Sequence, residues 1–165
     1  MSPRKAVLFD LYGTLVLTHE RPEAWDAWQR RLIEFTQSLG GDSKSPEASK
    51  LLEHFWQGDD KPAASRMTIF EYRISAFIEN LGLKATASAI TEIAGELCET
   101  WQGYLDVDPV ADDVIGRLSQ SFVVGLVTNF DHPPHVHRTL QAHGLSGRFE
   151  TIVVSAEEGI KKPDP

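Results

Sequence analysis

The residues best suited to chemistry stand where short apolar runs end. Asp10 comes directly after the apolar run 6–9, and Gly13 follows three residues later. A carboxylate in such a place can attack an electrophilic centre or bind a cation. A glycine lets the backbone turn sharply and leaves room for a small anion near the N–H groups of the loop. The same residue types are common at simple strand exits, so this stretch alone leaves both interpretations open.

Two later apolar runs also end on polar residues. Thr128 and Asn129 follow the run 122–127, and Lys162 follows the run 151–154 after a polar loop. A threonine hydroxyl can donate and accept hydrogen bonds, and a lysine ammonium carries a positive charge. Taken alone, Thr128 is more typical of a helix cap, and Lys162 is more typical of an exposed side chain. The functional interpretation therefore depends on what brings the three positions together.

The three apolar runs predict the elements that bring these residues together. Each run is short and continuous, and the second is also rich in β-branched residues, which favours strands of a parallel sheet that is covered on both faces. Asp108 as N-cap and Pro109 predict a helix before the second run, and Pro133-Pro134 predicts another before Gly144. Ligands of parallel sheets bind beyond the carboxyl ends of the strands. The sequence therefore predicts an α/β fold with Asp10, Thr128 and Lys162 at one edge.

A long helical segment separates the first strand from the second. Apolar residues recur there at helical spacing in four groups, which begin near Pro22, after Ser45-Pro46, at the capping box of Thr68 and Glu71, and before Trp101. Residues 18–105 are predicted to form this inserted helical domain. Residues 1–17 and 106–165 are predicted to form the α/β core.

Three strings of the core resemble the motifs of the haloacid dehalogenase (HAD) superfamily. They are Phe-Asp-Leu-Tyr-Gly-Thr-Leu around Asp10, Thr128 after its strand, and Lys-Pro-Asp-Pro from Lys162 to Pro165. The resemblance implies a Rossmann-like parallel-sheet core and a helical cap that closes over the active site. It also implies a hydrolase that works through a covalent aspartyl intermediate on a small anionic substrate.

The same resemblance assigns roles to individual residues. Asp10 is expected to be the nucleophile, Thr128 to hydrogen-bond the transferred group, and Lys162 to balance the negative charge. Further substrate contacts are expected from four residues: Leu11, Tyr12, Gly13 and Asn129. In the cap, Arg30 and Arg31 are candidate anion contacts, although exposed surface is the expected place of at least one.

Tyr12 departs from the phosphatases of the superfamily, which carry an aspartate two residues after the nucleophile as general acid and base. A phenol is a weak base near neutral pH. The Asp-x-Tyr-Gly-Thr string resembles the 2-haloacid dehalogenases, whose halide leaving group needs no proton, and that activity is the favoured one, without a cofactor. A Mg²⁺-dependent phosphatase is the alternative, with the metal on Asp10 and the carbonyl of Tyr12. A non-catalytic binding module on a HAD scaffold is the third interpretation.

The fourth HAD motif, a strand followed by an acidic pair, would lie beyond Pro165. A truncated chain is therefore expected, in which the edge of strand 6–9 stays open. Such a chain is predicted to bind Mg²⁺ weakly, to turn over slowly and to associate, most simply as a homodimer.

Composition limits the partners and the compartment. The formal net charge is -8 and no cluster of Lys and Arg appears, which disfavours nucleic acid as a partner. No apolar run reaches membrane-spanning length, and the short polar start before the first strand leads us to expect no export signal. The sole cysteine, Cys98, is interpreted as a small core residue and fits a cytoplasmic protein.

A group of histidines around the helix after Pro133 invites a metal-site interpretation. The group consists of His132, His135, His137 and His143. Positions 135 and 137 do not share a helix face, and no cysteine or paired carboxylate completes a ligand set. Solvent-exposed helix surface is the predicted place of these histidines.

Overall fold

The computed structural model describes residues 5–18, 21–42, 45–57, 61 and 65–163. Asp164 and Pro165 of the third motif, and the start of the chain through Arg4, lie outside the described residues. The chain divides into two compact units: one combines Met1–Glu20 with Leu105–Pro165, and the other is Arg21–Tyr104. Among the described helices, none is both long and apolar enough to cross a membrane.

The strands of the described chain belong to the first unit. They are β1 (Ala6–Phe9), β2 (Val16–Leu17), β3 (Asp106–Val107), β4 (Val123–Thr128) and β5 (Thr151–Val154). β1, β4 and β5 form a parallel sheet in the order β1-β4-β5, as the apolar runs predict. β2 and β3 form a separate antiparallel pair that the sequence interpretation missed. Two-residue strands are too short to leave a recognisable pattern.

The register of the parallel sheet brings the polar strand exits together. Phe9 lies opposite Leu126, and Thr128 lies opposite Val154. All three strands run in the same direction, so Asp10, Asn129 and Ser155 follow their carboxyl ends at one edge. This arrangement is what a parallel sheet requires of a site built from several strands.

The helices of the described chain are α1 (Pro22–Ser38), α2 (Pro46–Glu53), α3 (Ile69–Asn80), α4 (Ala87–Gln102), α5 (Ala111–Leu118), α6 (Pro133–Ala142) and the short α7 (Ser155–Glu158). In the first unit, α5 and α6 pack on one face of the parallel sheet. Their buried residues Ile115, Val136 and Leu140 share a core with Leu126 and Val154. That core fixes the strands whose ends carry the candidate site.

The prediction that β1 is covered on both faces is wrong. Ala6 and Leu8 are exposed, and Leu8 is exposed by 63%. Leu8 and Thr151 flank Gly125 on the sheet face opposite the helical core, where a Cβ on Gly125 would come within 3.0 Å of both. β1 also pairs only with β4 among the described strands. A continuous apolar run therefore did not indicate burial on both faces here.

The start of α5 also differs from the prediction. The helix begins at Ala111 rather than Pro109, and Asp108 is not its N-cap. The Oδ1 atom of Asp108 accepts a hydrogen bond from the N–H of Val110 (2.9 Å), and its carbonyl accepts one from Ala111 (3.0 Å). Asp108 therefore closes a turn ahead of the helix, a use of aspartate that competes with capping in the sequence pattern.

The helical unit is held together by aromatic and aliphatic packing. Trp28 is buried and stacks on Trp25 with ring centroids 4.8 Å apart, and Phe55 meets the Trp28 ring edge-on at 5.0 Å. Cys98 is buried in this unit, as predicted. The capping box of α3 is present: Thr68 accepts from Glu71 N–H, and the Glu71 carboxylate accepts from Thr68 N–H. These features explain why a segment of predominantly helical sequence forms a unit of its own.

The prediction that all four histidines lie on exposed surface is wrong for two of them. His132 and His135 are each only 2% exposed. The His135 ring lies 5.8 Å from the ring of Phe130, and its Nε2 lies 3.4 Å from the Thr139 hydroxyl. Burial, together with the nearby charges of Arg138 and His132, lowers the pKa of His135 from 6.5 to about 4. His135 is therefore a neutral core residue at physiological pH.

The depressed pKa of His135 predicts a loss of stability in acid. The folded protein resists protonation of this ring and the unfolded chain does not. The unfolding free energy is therefore unaffected by this group well above pH 6.5, and it falls as the pH drops from 6.5 towards 4. Wild type should lose roughly 3 kcal/mol of unfolding free energy by pH 4 relative to His135→Gln. Urea unfolding of both proteins at pH 7 and pH 4 measures this difference. The exposed His137→Gln serves as control, and equal acid losses in all three proteins would contradict the assignment.

Candidate active site

Asp10 lies at the exit of β1 with each carboxylate oxygen in a distinct contact. Oδ1 accepts a hydrogen bond from the N–H of Leu11 (2.8 Å). Oδ2 lies 3.1 Å from Nζ of Lys162. About 40% of each side chain is exposed, so the pair is open to a ligand. The structure thus brings together two residues that are 152 positions apart in the chain and were predicted to meet.

The loop after Asp10 is a closed turn. The carbonyl of Leu11 accepts hydrogen bonds from Leu15 (2.9 Å) and Val16 (2.8 Å), and Gly13 N–H donates to the carbonyl of Val16 (2.7 Å). Gly13 has a φ of +82°, a conformation that favours glycine. The N–H of Gly13 therefore donates within the turn. Gly13 shapes the loop and so holds Asp10 in place.

Lys162, in the loop after α7, contacts residues at the carboxyl ends of β1 and β4. Its Nζ donates to the carbonyl of Val127 (2.6 Å) in addition to its contact with Asp10. Its backbone N–H donates to Oδ1 of Asn129 (2.9 Å), and its carbonyl accepts from Nδ2 of the same residue (3.0 Å). The charge of Lys162 is thereby held directly beside the Asp10 carboxylate.

Thr128, the last residue of β4, is only 1% exposed. Its Oγ1 is buried and has no hydrogen-bond partner among the residues that the structure describes. An unsatisfied buried hydroxyl costs free energy, commonly 1–3 kcal/mol in order of magnitude, and calls for an explanation. Thr128 lies between Val127 and Asn129, the two residues of this segment that bind Lys162.

Tyr12 and Phe130 form an aromatic pair beside these groups. Their rings are stacked with centroids 4.9 Å apart, and the N–H of Phe130 donates to Oγ of Ser155 (3.1 Å). Phe130 also lies near the buried ring of His135. The position two residues after Asp10 therefore carries a ring that is packed in place. Sequence reasoning missed Phe130, because its contacts are with residues that are distant along the chain.

The Mg²⁺ hypothesis can be tested against the donor atoms at this edge. Mg²⁺ prefers octahedral oxygen ligation, usually with one or two carboxylates. Among the described residues, no group of three or more His, Cys, Asp or Glu side chains could hold a metal ion. Asp10 supplies one carboxylate, and both of its oxygens already have protein partners. These residues do not fit a Mg²⁺ site by themselves.

The parallel sheet carries aspartate, threonine and lysine at its carboxyl edge, in the order that the three motifs predict. The sequence model of the family described as "haloacid dehalogenase-like hydrolase" matches residues 4–165. The chain therefore belongs to the haloacid dehalogenase-like hydrolases, a family of enzymes, as the three motifs indicate. No curated protein sequence matches the chain.

Solved structures with the same fold include members with different activities. A HAD phosphatase from Thermococcus onnurineus has a TM-score of 0.59 at 22% identity, over 98% of this chain and 66% of its own. A 2-haloacid dehalogenase from Pseudomonas syringae has a TM-score of 0.56 at 23% identity, over 99% and 69%. The proposed HAD-hydrolase YfnB from Bacillus subtilis, bound to magnesium, has a TM-score of 0.55 at 21% identity, over 98% and 69%. The chain spans about two thirds of the length of these structures.

Proposed function

We propose that this chain carries the nucleophile and the charge-balancing lysine of a hydrolase that releases halide from small 2-haloacids. Asp10 is the nucleophile, Lys162 balances the negative charge of nucleophile and substrate, and Thr128 hydrogen-bonds the reacting group. The observation that carries this proposal is the contact of 3.1 Å between the Asp10 carboxylate and the Lys162 ammonium at the carboxyl edge of the sheet. Helices α1 to α4 are proposed to form the cap that selects the substrate.

The proposed reaction has two steps. A carboxylate oxygen of Asp10 attacks the carbon that carries the halogen, the carbon–halogen bond breaks, and the halide leaves with the bonding electrons. Water then attacks the ester carbonyl carbon of Asp10 and the ester C–O bond breaks; one proton of the water goes to the departing alkoxide oxygen and the other to solvent, which releases the hydroxy acid and restores the carboxylate. Splitting one displacement in this way is the usual advantage of a carboxylate nucleophile.

Tyr12 is the reason for preferring halide release to phosphate release. An alcohol that leaves a phosphate ester needs a proton, and an aspartic acid in this position can supply one. Tyr12 instead presents a ring that is stacked on Phe130. A halide is a stable anion that leaves without a proton, so the first step of the dehalogenase reaction needs no acid at the position of Tyr12.

Assays of the purified protein on two probes test the reaction class. Halide release from 2-chloropropionate and phosphate release from p-nitrophenyl phosphate would be measured with and without Mg²⁺. Halide release without a metal requirement is expected. Phosphate release that depends on Mg²⁺, without halide release, would contradict the dehalogenase proposal and favour the phosphatase. Tight binding of either probe without turnover would favour a binding module.

A further inference from the structure

The side chain of Asn129 pairs with the backbone of Lys162 at two points. The amide accepts from the Lys162 N–H (2.9 Å) and donates to the Lys162 carbonyl (3.0 Å). Facing residues of an antiparallel strand pair exchange hydrogen bonds in the same way. Only one orientation of the amide satisfies both contacts, since a flipped amide would face donor to donor and acceptor to acceptor.

Lys162 is consequently fixed at both ends. Asn129 holds its backbone, and the Val127 carbonyl and the Asp10 carboxylate hold its Nζ. A lysine side chain has a flexible four-carbon stem, so one end alone would not define where its charge lies. Val127 and Asn129, which bind Lys162, lie on either side of Thr128. Val127 is the next-to-last residue of β4, and Asn129 directly follows the strand.

We infer that Asn129 is a positioning residue that places the Lys162 ammonium beside Asp10, an inference that rests on the proposed role of Lys162. The amide uses its oxygen and one of its N–H groups on the Lys162 backbone. A displacement of a charged group by about 1 Å can cost a large factor in rate, because electrostatic stabilisation depends on preorganised geometry. Asn129 thus contributes to the reaction through Lys162.

Neighbouring contacts between the same two segments provide a matched control. Asp131 forms an ion pair with Lys161 (Oδ1 to Nζ, 2.9 Å), one residue before Lys162. This ion pair joins the loop after β4 to the loop after α7, as Asn129 does, and does not involve Lys162. Asp131→Asn therefore perturbs the connection between the loops and keeps the bonds from Asn129 to Lys162.

The first test measures the reactivity of Lys162 without any substrate. Trace labelling with acetic anhydride, read by mass spectrometry, reports the reactivity of the Lys162 amine relative to the exposed Lys84. Asn129→Ser removes both bonds to the Lys162 backbone and should raise this ratio by at least about fivefold, the equilibrium change expected from the loss of a single hydrogen bond. Asp131→Asn should leave the ratio unchanged. An unchanged ratio in Asn129→Ser would overturn the inference, whatever the protein catalyses.

The second test is a double-mutant cycle on halide release from 2-chloropropionate. Asn129→Ser should lower kcat/KM by about 10- to 100-fold in the wild-type background, as expected for loss of one positioned contact to charge. In the Lys162→Met background the same change should cost less than about twofold, because the amine that Asn129 positions is gone. Equal losses in both backgrounds would show that Asn129 acts on the substrate or the fold. Absence of wild-type turnover would overturn the proposed function alone, since the labelling result does not depend on it.

Discussion

Asp10→Asn is expected to reduce hydrolysis to the level of the background reaction, a loss of more than about 10⁴-fold in kcat, because the covalent step loses its nucleophile. An amide oxygen carries no full negative charge and is a far weaker nucleophile than a carboxylate. The measurement is halide release from 2-chloropropionate under saturating conditions. Undiminished turnover by the variant would remove Asp10 from the mechanism.

The fold of this variant should be intact, which separates loss of chemistry from loss of structure. Asn can still accept the hydrogen bond from Leu11, and the contact that it loses is a partly exposed ion pair with Lys162. Such pairs contribute about 0–1 kcal/mol. The unfolding free energy of Asp10→Asn should therefore lie within about 1 kcal/mol of wild type in urea titrations.

Lys162→Met is expected to give the second largest loss, about 10²- to 10³-fold in kcat, the range found when a preorganised electrostatic contact is removed. Methionine keeps most of the apolar stem, so packing changes little. The charge beside Asp10 and the bond to the Val127 carbonyl disappear. Halide release and unfolding free energy, measured together, distinguish a defect in charge balance from a defect in folding.

Lys161→Met is the matched control, since it removes a neighbouring lysine charge from the same loop. Lys161 pairs with Asp131 rather than with Asp10. The ion pair between Lys161 and Asp131 is partly exposed and contributes at most about 1 kcal/mol to stability. Because its loss leaves the Lys162 ammonium beside Asp10, activity should change by less than about fivefold. Equal losses in Lys161→Met and Lys162→Met would mean that general positive charge, rather than the placed ammonium, supports the reaction.

Local sequence patterns predicted the elements of this protein well where the signal is itself local. The capping box at Thr68, the proline at the start of α1 and the β-branched run of β4 each depend on neighbouring residues. These features follow from hydrogen bonding and side-chain shape over a few positions. The parallel sheet followed from the three continuous apolar runs and the family resemblance.

Burial and long-range contacts were predicted less well, because they depend on what packs against an element. Leu8 lies in an apolar run and is exposed, whereas His132 and His135 lie in a polar stretch and are buried. Asn129 and Lys162 are 33 positions apart, so no local pattern could indicate that one amide binds the other's backbone. Asp108 was predicted to cap α5, and the structure places it in a turn ahead of the helix.

Isotope transfer from water tests the covalent role of Asp10 most directly. A single turnover of 2-chloropropionate by excess protein in H₂¹⁸O would be followed by mass spectrometry of the peptide that contains Asp10. Water attacks the carbonyl carbon of the aspartyl ester in the proposed mechanism, so ¹⁸O should appear in the Asp10 carboxylate. Halide release with ¹⁸O only in the hydroxy acid and none in Asp10 would show that water attacks the substrate directly, which would contradict the account.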